Sequence, residues 1–450
     1  MTEQQSIHRS SCRETAERIV KRLKEAGYEG YLVGGCVRDL LLGTEPEDFD
    51  IVTSARPQVV QTLFPKTVPI GMAFGIILVI EQGYPFEVAT YRREGGYDDG
   101  RRPSVVSFGS AEEDVQRRDF TVNGLLMDPE TGDVLDFIGG VNDIQKRLIR
   151  TIGSPEERFS EDHLRMLRAV RFAANLDFDL DPDTCTAIRR HASSISRISA
   201  ERIRDELTRL LTRGRARRGM ELLLQTGLLQ MVLPEAAALQ GVSQAPRYHP
   251  EGDVWEHVLC MLNLLPGGLG AENDLCLAWA VLLHDIGKPA TRFVDDRGVH
   301  FYGHVQKSVE IAGSVLRRLR FSNTDIETIL ALIRHHMLFM TVRDMRPNRL
   351  KRFLRMPEIE RHLELHRLDC LGSHGLLDNY AFCRENLAAL SREDLNPPRL
   401  LSGHDLQSMG FKPGPLFKEI LDAVETAQLE GNLATAEEAR RMVLARWIPG

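Results

Sequence analysis

Residues Tyr31 to Val52 read YLVGGCVRDLLLGTEPEDFDIV, and this stretch decides how the first part of the chain folds. An apolar, strand-like Tyr31–Val33 meets the Gly34-Gly35 turn, a helical VRDLLLG follows, and Asp48-Phe49-Asp50-Ile51-Val52 returns to a strand pattern. Side chains alternate along a strand, so Asp48 and Asp50 share one face while Phe49 and Ile51 share the other. Two carboxylates side by side suit a divalent cation. A Gly-Gly turn before a helix lets backbone N–H groups approach a phosphate. In this order and spacing the two features predict metal held beside a triphosphate, the equipment for nucleotide transfer.

Outward from this stretch, residues 31–138 read as a small mixed sheet with flanking helices, with strands at Tyr31–Val33, Phe49–Thr53, Phe74–Ile80 and Pro85–Tyr91. Glu87 alternates with Phe86 and Val88, which suits either a third carboxylate beside Asp48 and Asp50 or a surface Glu. The segment Arg92–Ser110 is rich in Gly, Arg and Asp and reads as a mobile loop. Arg117-Arg118-Asp119 and Asn123 follow, and arginines there suit phosphate or ribose oxygens. After Gly139-Gly140 strand signals nearly vanish and amphipathic helices take over.

The 450 residues, 42% hydrophobic and 27% charged, exceed one ordinary core and predict several soluble domains. The polar MTEQQSIHRS shows no secretory h-region, and the longest apolar run, Leu275–Leu283, is too short to span a bilayer. A membrane partner is therefore not expected. Seven cysteines without a Cys-x-x-Cys pair suit reduced thiols and a cytoplasmic location, with Cys36 and Cys276 in the core. A net charge of −7 does not announce a nucleic-acid binder. Yet ten arginines crowd between Arg189 and Arg218 against Glu201, Asp205 and Glu206, which suits either a phosphate-binding stripe or a solvated helix face.

A helix is expected to open at Ser160, as N-cap of SEDHLRMLRAVRFAANL. Asp162, Arg165, Arg168 and Arg171 then recur every three residues as a polar stripe, with Leu164, Leu167, Ala169, Val170 and Phe172 on the buried faces. Cytosine and adenine each present an exocyclic amine donor beside a ring-nitrogen acceptor. A carboxylate next to a guanidinium offers the complement. Uracil and guanine present the reverse pattern and would leave buried polar groups unpaired. Asp162 with Arg165 is thus a candidate pair for selecting C and A.

The ordered motifs GGCVRD…DFD, RRDFTVNGL and EDHLRMLRAVRFA, between Tyr31 and Pro234, resemble the class II tRNA nucleotidyltransferases and the related bacterial poly(A) polymerases. The resemblance implies a multidomain α+β chain: a polymerase-beta-like head of mixed sheet plus helices, then all-α neck and body, and a helical tail. It implies that Asp48 and Asp50 bind two magnesium ions, with CTP, ATP and the tRNA acceptor end as partners. Gly35 and Arg38, beside Gly34, would contact the triphosphate. Arg118, Asp119 and Asn123 would lie near sugar and phosphates, and Asp162 and Arg165 would template the base with Arg168 and Arg171 assisting. The segment YDDGRRPSVVSF resembles the flexible loop of CCA-adding and A-adding members, which places CCA addition ahead of A-only addition and of poly(A) synthesis.

Farther on, His257, His284-Asp285, His304, His335-His336 and Asp369 follow one another in helical surroundings. Imidazole and carboxylate are ligands for a catalytic divalent metal. The set resembles the HD metallophosphohydrolases and implies an all-α HD domain holding Mn, Ni, Co, Fe or Mg, with phosphodiesterase or phosphatase action. A chain that is mainly such a hydrolase with a nucleotide-sensing head is the alternative, and the paired Asp48 and Asp50 argue against it. Another pair, His404-Asp405, sits in a Gly-flanked loop and is set aside. The expected organisation is a helical extension over 1–30, the head over 31–143, neck and body over 144–240, the HD domain over 250–395 and the tail over 396–450, as monomer or homodimer.

Overall fold

The computed structural model describes residues 3–95, 105–265, 274–296, 298–391 and 395–448. The chain divides into two compact units, one formed chiefly by the chain up to Gln240 and the other chiefly by the chain from Gly241 onward.

The first unit opens with α1 (Glu3–Glu25), whose Ala16, Ile19, Val20 and Leu23 recur at helical spacing and are buried. Next come β1 (Gly30–Val33), α2 (Gly35–Leu41), β2 (Asp50–Thr53), α3 (Pro57–Leu63), β3 (Thr67–Gly71), β4 (Ile76–Glu81) and β5 (Tyr84–Thr90). The antiparallel ribbon of β6 (Arg92–Gly95) and β7 (Val105–Phe108), α4 (Ala111–Gln116), β8 (Leu126–Met127) and β9 (Val134–Leu135) complete the head. Seven strands form one mixed sheet in the order β3-β4-β5-β2-β1-β8-β9. In it β2 and β5 run parallel, while β1 pairs antiparallel with β2 and β8. Alternation buries Ile51, Phe86 and Val88 and turns Asp50 and Glu87 away from the core.

Three local readings need correction. The strand expected from Phe49 starts at Asp50, because β1 ends at Val33 opposite Asp50 and leaves Asp48 no partner strand. The strand expected from Phe74 starts at Ile76, after a 3₁₀ turn over Met72–Phe74. Within the expected loop over Arg92–Ser110, Arg92–Gly95 and Val105–Phe108 are the paired strands β6 and β7; its centre, 96–104, lies outside the described residues.

Helices then dominate, as the pattern predicts: α5 (Gly140–Gln145), α6 (Pro155–Glu161), α7 (Arg165–Leu176), α8 (Pro182–His191), α9 (Ala200–Thr212), α10 (Ala216–Gln225), α11 (Leu228–Val232) and α12 (Pro234–Ala237). The short strands β10 (Leu148–Ile149) and β11 (Asp179–Leu180) pair in parallel among them. The single helix expected to open at Ser160 is instead two. Ser160 lies inside α6, its hydroxyl donating to the Glu156 carbonyl at 2.8 Å. Asp162 is extended (φ −145°), and its Oδ1 accepts the Leu164 N–H at 3.0 Å just before α7 begins. A short acidic side chain that competes for backbone donors breaks the helix there.

From Val254 the chain continues with α13 (Val254–Leu264), α14 (Leu275–Leu283), α15 (Lys288–Thr291), the hairpin β12 (Phe293–Asp295) and β13 (Gly298–His300), and α16 (His304–Arg318). There follow α17 (Asn323–His335), a 3₁₀ segment His336–Asp344, α18 (Pro347–Leu354), α19 (Ile359–Leu371) and α20 (Asp378–Ala389). Phe339, Val342, Leu350, Phe353, Leu354, Leu363 and Cys383 form one core. The last helices carry a separate core of Leu401, Leu406, Phe411, Ile420, Val424, Ala439 and Val443. Asp405 completes a capping box with Ser402, a structural use. Among the described residues no helix is long and apolar enough to cross a membrane.

Candidate active sites

In the first unit an open cleft of about 870 Å³ is lined by Gly34, Gly35, Arg38, Asp48, Asp50, Arg118, Asp119, Asn123, Asp162, Arg165 and Arg168. Gly34 makes the turn from β1 into α2 at φ 81°, ψ −131°, where side chains are strained. A Cβ there would lie 3.5 Å from Arg118 Nη1 and 4.0 Å from Asp50 Oδ2, so the turn sits directly against the acidic floor. Arg38 is buried and donates from Nη1 to Asn123 Oδ1 at 2.6 Å and from Nε to Asp39 Oδ1 at 2.8 Å.

Asp50 lies deep in the cleft although water reaches it. The parallel register Ile51–Val88 places Glu87 beside it on β5. Desolvation at the cleft floor, then the charges of Asp48 and Glu87, push the Asp50 carboxyl up to about 6, with Arg118 opposing. A carboxyl that resists ionisation in this way is short of positive charge, which is what a divalent cation supplies. Carboxylate oxygens are the donors that magnesium takes, and Asp48 and Asp50 bring them to the cleft with Glu87 alongside on β5.

The arginines of the cleft are braced from behind. Asp114, 1% exposed, takes Arg117 on Oδ1 (2.6 Å from Nη2) and Arg118 on Oδ2 (3.1 Å from Nη2). Burial opposes its charge, yet the two guanidiniums hold it below the usual carboxylate range. Asp119 Oδ2 accepts Arg168 Nε and Nη2 at 2.8 and 2.7 Å. Asp119 is thus engaged by a cation as well as placed in the cleft.

Asp162 and Arg165 both line the cleft, but they are not each other's partners. Arg202, from the first turn of α9, grips the Asp162 carboxylate. Arg165 is anchored on Glu161 Oε2 (2.5 Å) and on the carbonyls of Arg158 and Arg117 (3.2 Å each). Arg171 departs from expectation. It is buried behind the cleft wall, its Nε 2.5 Å from Glu206 Oε2, because its place on α7 faces α9 rather than the opening. Phe172, read as a core position, instead lines the cleft, with Arg38, Arg168 and Arg171 guanidiniums 5.5, 5.3 and 4.1 Å from its ring centre. Sequence reasoning missed Phe172 and the role of Arg202, since helical periodicity does not name what lies across a gap. Most of the arginines between Arg189 and Arg218 are salt-bridged, Arg213 to Glu47, Arg215 to Asp177 and Arg217 to Glu221 among them.

The second unit gathers His257, His284 and Asp369 as one potential metal-binding set and Asp285, His304 and His336 as another. His257 Nε2 lies 3.2 Å from Asp369 Oδ1, His284 Nε2 3.2 Å from Asp285 Oδ2, and His304 Nε2 3.6 Å from Asp285 Oδ1. The Nδ1 atoms of His284, His304 and His336 lie 3.0, 2.9 and 2.7 Å from the carbonyls of Val281, Phe301 and Ile333. If each Nδ1 donates, each Nε2 lone pair is left for a cation. His257 Nε2, His284 Nε2, Asp285 Oδ1 and His304 Nε2 are buried without a hydrogen-bond partner, a deficit that divalent metal would fill. Burial, then His284, push His336 down to about 4, keeping it neutral.

His335 departs from this set. As the neighbour of His336 it points elsewhere, with its ring 5.5 Å from His362. Four residues absent from the sequence reading join the site. Lys288 Nζ lies 2.6 Å from both Asp285 Oδ2 and Gln244 Oε1, and Glu251 Oε1 lies 2.8 Å from the Nδ1 atoms of His249 and His257. HDIGK could have flagged Lys288 by its adjacency. A cavity of about 350 Å³ opens over this cluster.

Comparison with known proteins bears on both sites. The family described as Poly A polymerase head domain matches residues 30–150, that described as Probable RNA and SrmB- binding site of polymerase A matches 177–239, and HD domain matches 254–369. The CCA-adding enzyme of Anoxybacillus flavithermus is 34% identical over 423 residues, covering 93% of this chain and 94% of the relative. That of Bacillus cytotoxicus is 33% identical over 434 residues, 94% and 96% of the two chains. The crystal structure of the Bacillus stearothermophilus CCA-adding enzyme in complex with CTP matches with a TM-score of 0.71 at 30% identity, over 96% of this chain and 97% of that one. The Thermotoga maritima CCA-adding enzyme complexed with tRNA shares the fold, with a TM-score of 0.58 at 20% identity over 96% and 94%.

Proposed function

The chain belongs to the CCA-adding enzyme family of nucleotidyltransferases, and from that premise we propose that it builds or repairs the 3′-terminal CCA of tRNA from CTP and ATP. The observation that carries the reading is one cleft that joins Asp48 and Asp50 to Asp162 and Arg165. A place for the reacting phosphate and a place for the incoming base thus share one opening.

Asp48 and Asp50, flanked by Glu87, would hold two magnesium ions. When bound, these supply Lewis-acid activation of the RNA 3′-hydroxyl and stabilise the leaving pyrophosphate. The chain itself does the rest. Arg38 and Arg118, braced by Asn123 and Asp114, present guanidinium N–H groups to the triphosphate. Asp162 accepts from the exocyclic amine of cytosine or adenine and Arg165 donates to the adjacent ring nitrogen. The acceptor arm would be read by shape and backbone rather than by base sequence. A cytoplasmic location belongs to the same proposal.

The test supplies CTP and ATP with tRNA ending at the discriminator base, and separately with tRNA ending in CC, and sequences the products. Extension of both is expected. Extension of the CC-ended tRNA alone would replace CCA addition by A-only addition. Asp162→Ala is expected to lose selection of C and A over U; intact selection would remove the base-reading role.

We propose further that His257, His284, Asp285, His304, His336 and Asp369 hold one or two divalent metal ions and hydrolyse phosphate esters of RNA 3′ ends or small nucleotides. The unpartnered buried atoms of this cluster support the reading. Lys288 would meet the phosphate, and Glu251 orients His257. Purified Asp50→Ala protein is expected to lose nucleotide addition and keep metal-dependent phosphatase activity; loss of both would refute the separation.

A further inference from the structure

We infer that Arg202 is a positioning residue for base selection, holding the Asp162 carboxylate so that one acceptor position meets the incoming base. The inference rests on the base-reading role proposed for Asp162 and Arg165.

Asp162 stands in the break between α6 and α7, with its side chain 16% exposed, and Arg202 reaches it across from α9. Arg202 Nη2 donates to Oδ2 at 2.7 Å and Nη1 to Oδ1 at 3.3 Å, a two-pronged grip. Oδ1 also accepts the Leu164 N–H at 3.0 Å. A carboxylate has about four acceptor positions, and these three bonds leave one, on Oδ2. Arg165 is fixed by a different set of partners, Glu161 and the carbonyls of Arg158 and Arg117, through Nη1 and Nη2. A guanidinium has about five N–H donors, so Arg165 keeps donors for a ring nitrogen. Acceptor and donor are therefore braced independently.

That independence bears on selectivity. Uracil and guanine carry a carbonyl where cytosine and adenine carry the amine, and a ring N–H where those carry an acceptor. A carboxylate free to turn would follow the ring N–H, and a free arginine would follow the carbonyl. The pair would then read all four bases. The Arg202 grip and the Leu164 N–H remove that freedom from Asp162, so the wrong bases leave polar groups unpaired. The setting supports a role in reading rather than in bracing alone. Arg202 and Asp162 both line the cleft, whereas the neighbouring Arg171–Glu206 pair is buried.

The test uses the full-length enzyme with Arg202→Met, Arg202→Lys and Asp162→Asn, each checked by thermal melting. It measures kcat/KM for CTP against UTP on tRNA ending at the discriminator base, and for ATP against GTP on tRNA ending in CC. Arg202→Met is expected to lower the CTP-to-UTP ratio at least about tenfold, the size of one charge-assisted hydrogen bond. Arg202→Lys, with one ammonium for two oxygens, is expected to fall between Arg202→Met and wild type. Correct and incorrect nucleotides falling in parallel, with the ratio unchanged, would make Arg202 a structural brace and overturn the inference. Should Arg202→Met fail to fold, an unchanged ratio in Arg202→Lys overturns it equally. If Asp162→Asn loses selection while the Arg202 variants keep it, only this inference fails. If Asp162→Asn also keeps selection, the base-reading role itself fails.

Discussion

Arg171→Met is predicted to cost stability while leaving nucleotide binding nearly untouched. Arg171 and Glu206 expose only 10% and 5% of their side chains and meet at 2.5 Å. Removing one partner of a buried ion pair costs roughly 3–5 kcal/mol, because the other charge is left uncompensated. Glu206 is not stranded, however. Arg168 Nη1 lies 3.8 Å away and Arg209 Nη1 3.7 Å. Each offers a gross attraction of about 4 kcal/mol at an effective dielectric near 20. The cost therefore falls at the lower end, about 3 kcal/mol. For a unit of this size that is a Tm loss of roughly 6–12 °C. The double variant Arg171→Met/Glu206→Gln should recover most of it, since the stranded charge goes with its partner. Thermal unfolding gives the first quantity and KM for CTP and ATP the second. A Tm within about 1 °C of wild type, together with a KM for CTP raised about tenfold, would place Arg171 at the substrate and refute the reasoning.

Three further outcomes are expected. Because Asp50 titrates near 6 in the folded chain and near 4 when unfolded, the folded state binds the proton more tightly between those values, and that stabilisation is lost as pH rises through 6. Magnesium must displace the proton, so calorimetric titration near pH 6 should release protons and titration near pH 8 should not; enthalpies independent of buffer at the lower pH would disprove it. Asp114→Asn loosens Arg117 and Arg118 together and should raise KM for CTP and ATP in common by about tenfold; an unchanged KM would remove Arg118 from the triphosphate site. Gly287→Ala puts a Cβ 2.5 Å from the Ser308 amide and 2.6 Å from the His304 carbonyl. It should therefore displace His304 and empty the HD site of metal without loss of CTP incorporation. Full metal content by elemental analysis would count against that.

What the sequence made legible was whatever depends on neighbours along the chain. Tyr31–Val52 discloses a strand, a turn, a helix and a carboxylate pair because each is local, and the observed β1, α2 and β2 follow it closely. Alternation leaves Glu87 either a neighbour of Asp50 or a surface residue, and the pairing of β2 with β5 decides for the first. The errors arise where a partner comes from far away. Asp162 was read inside a helix beside Arg165, but its side chain answers to Leu164 and to Arg202, forty positions on, and that choice breaks the helix. Arg171 shares the spacing of Arg168, yet α9 covers one and leaves the other at the cleft. His335 and His336 are chemically alike and adjacent. Only the packing of α17 decides which of them faces Asp285.

The same geometry explains how a chain of net charge −7 equips a cleft for a polyanion. Its arginines are not a free cationic surface. Arg118 leans on Asp114, Arg168 on Asp119, Arg165 on Glu161, Arg202 on Asp162 and Arg38 on Asp39. Each pairing cancels charge on one side of a guanidinium and, by fixing its plane, aims the remaining N–H groups. A surface of loose arginines would attract phosphate more strongly at long range but lose side-chain entropy on every capture. Braced arginines have already lost that freedom on folding, so more of their hydrogen-bond energy remains for orientation. Local charge excess was therefore a poor guide in the sequence. The arginines between 189 and 218 that look most basic are largely neutralised, while the cleft draws its arginines from five separate segments, each arriving with its own acceptor.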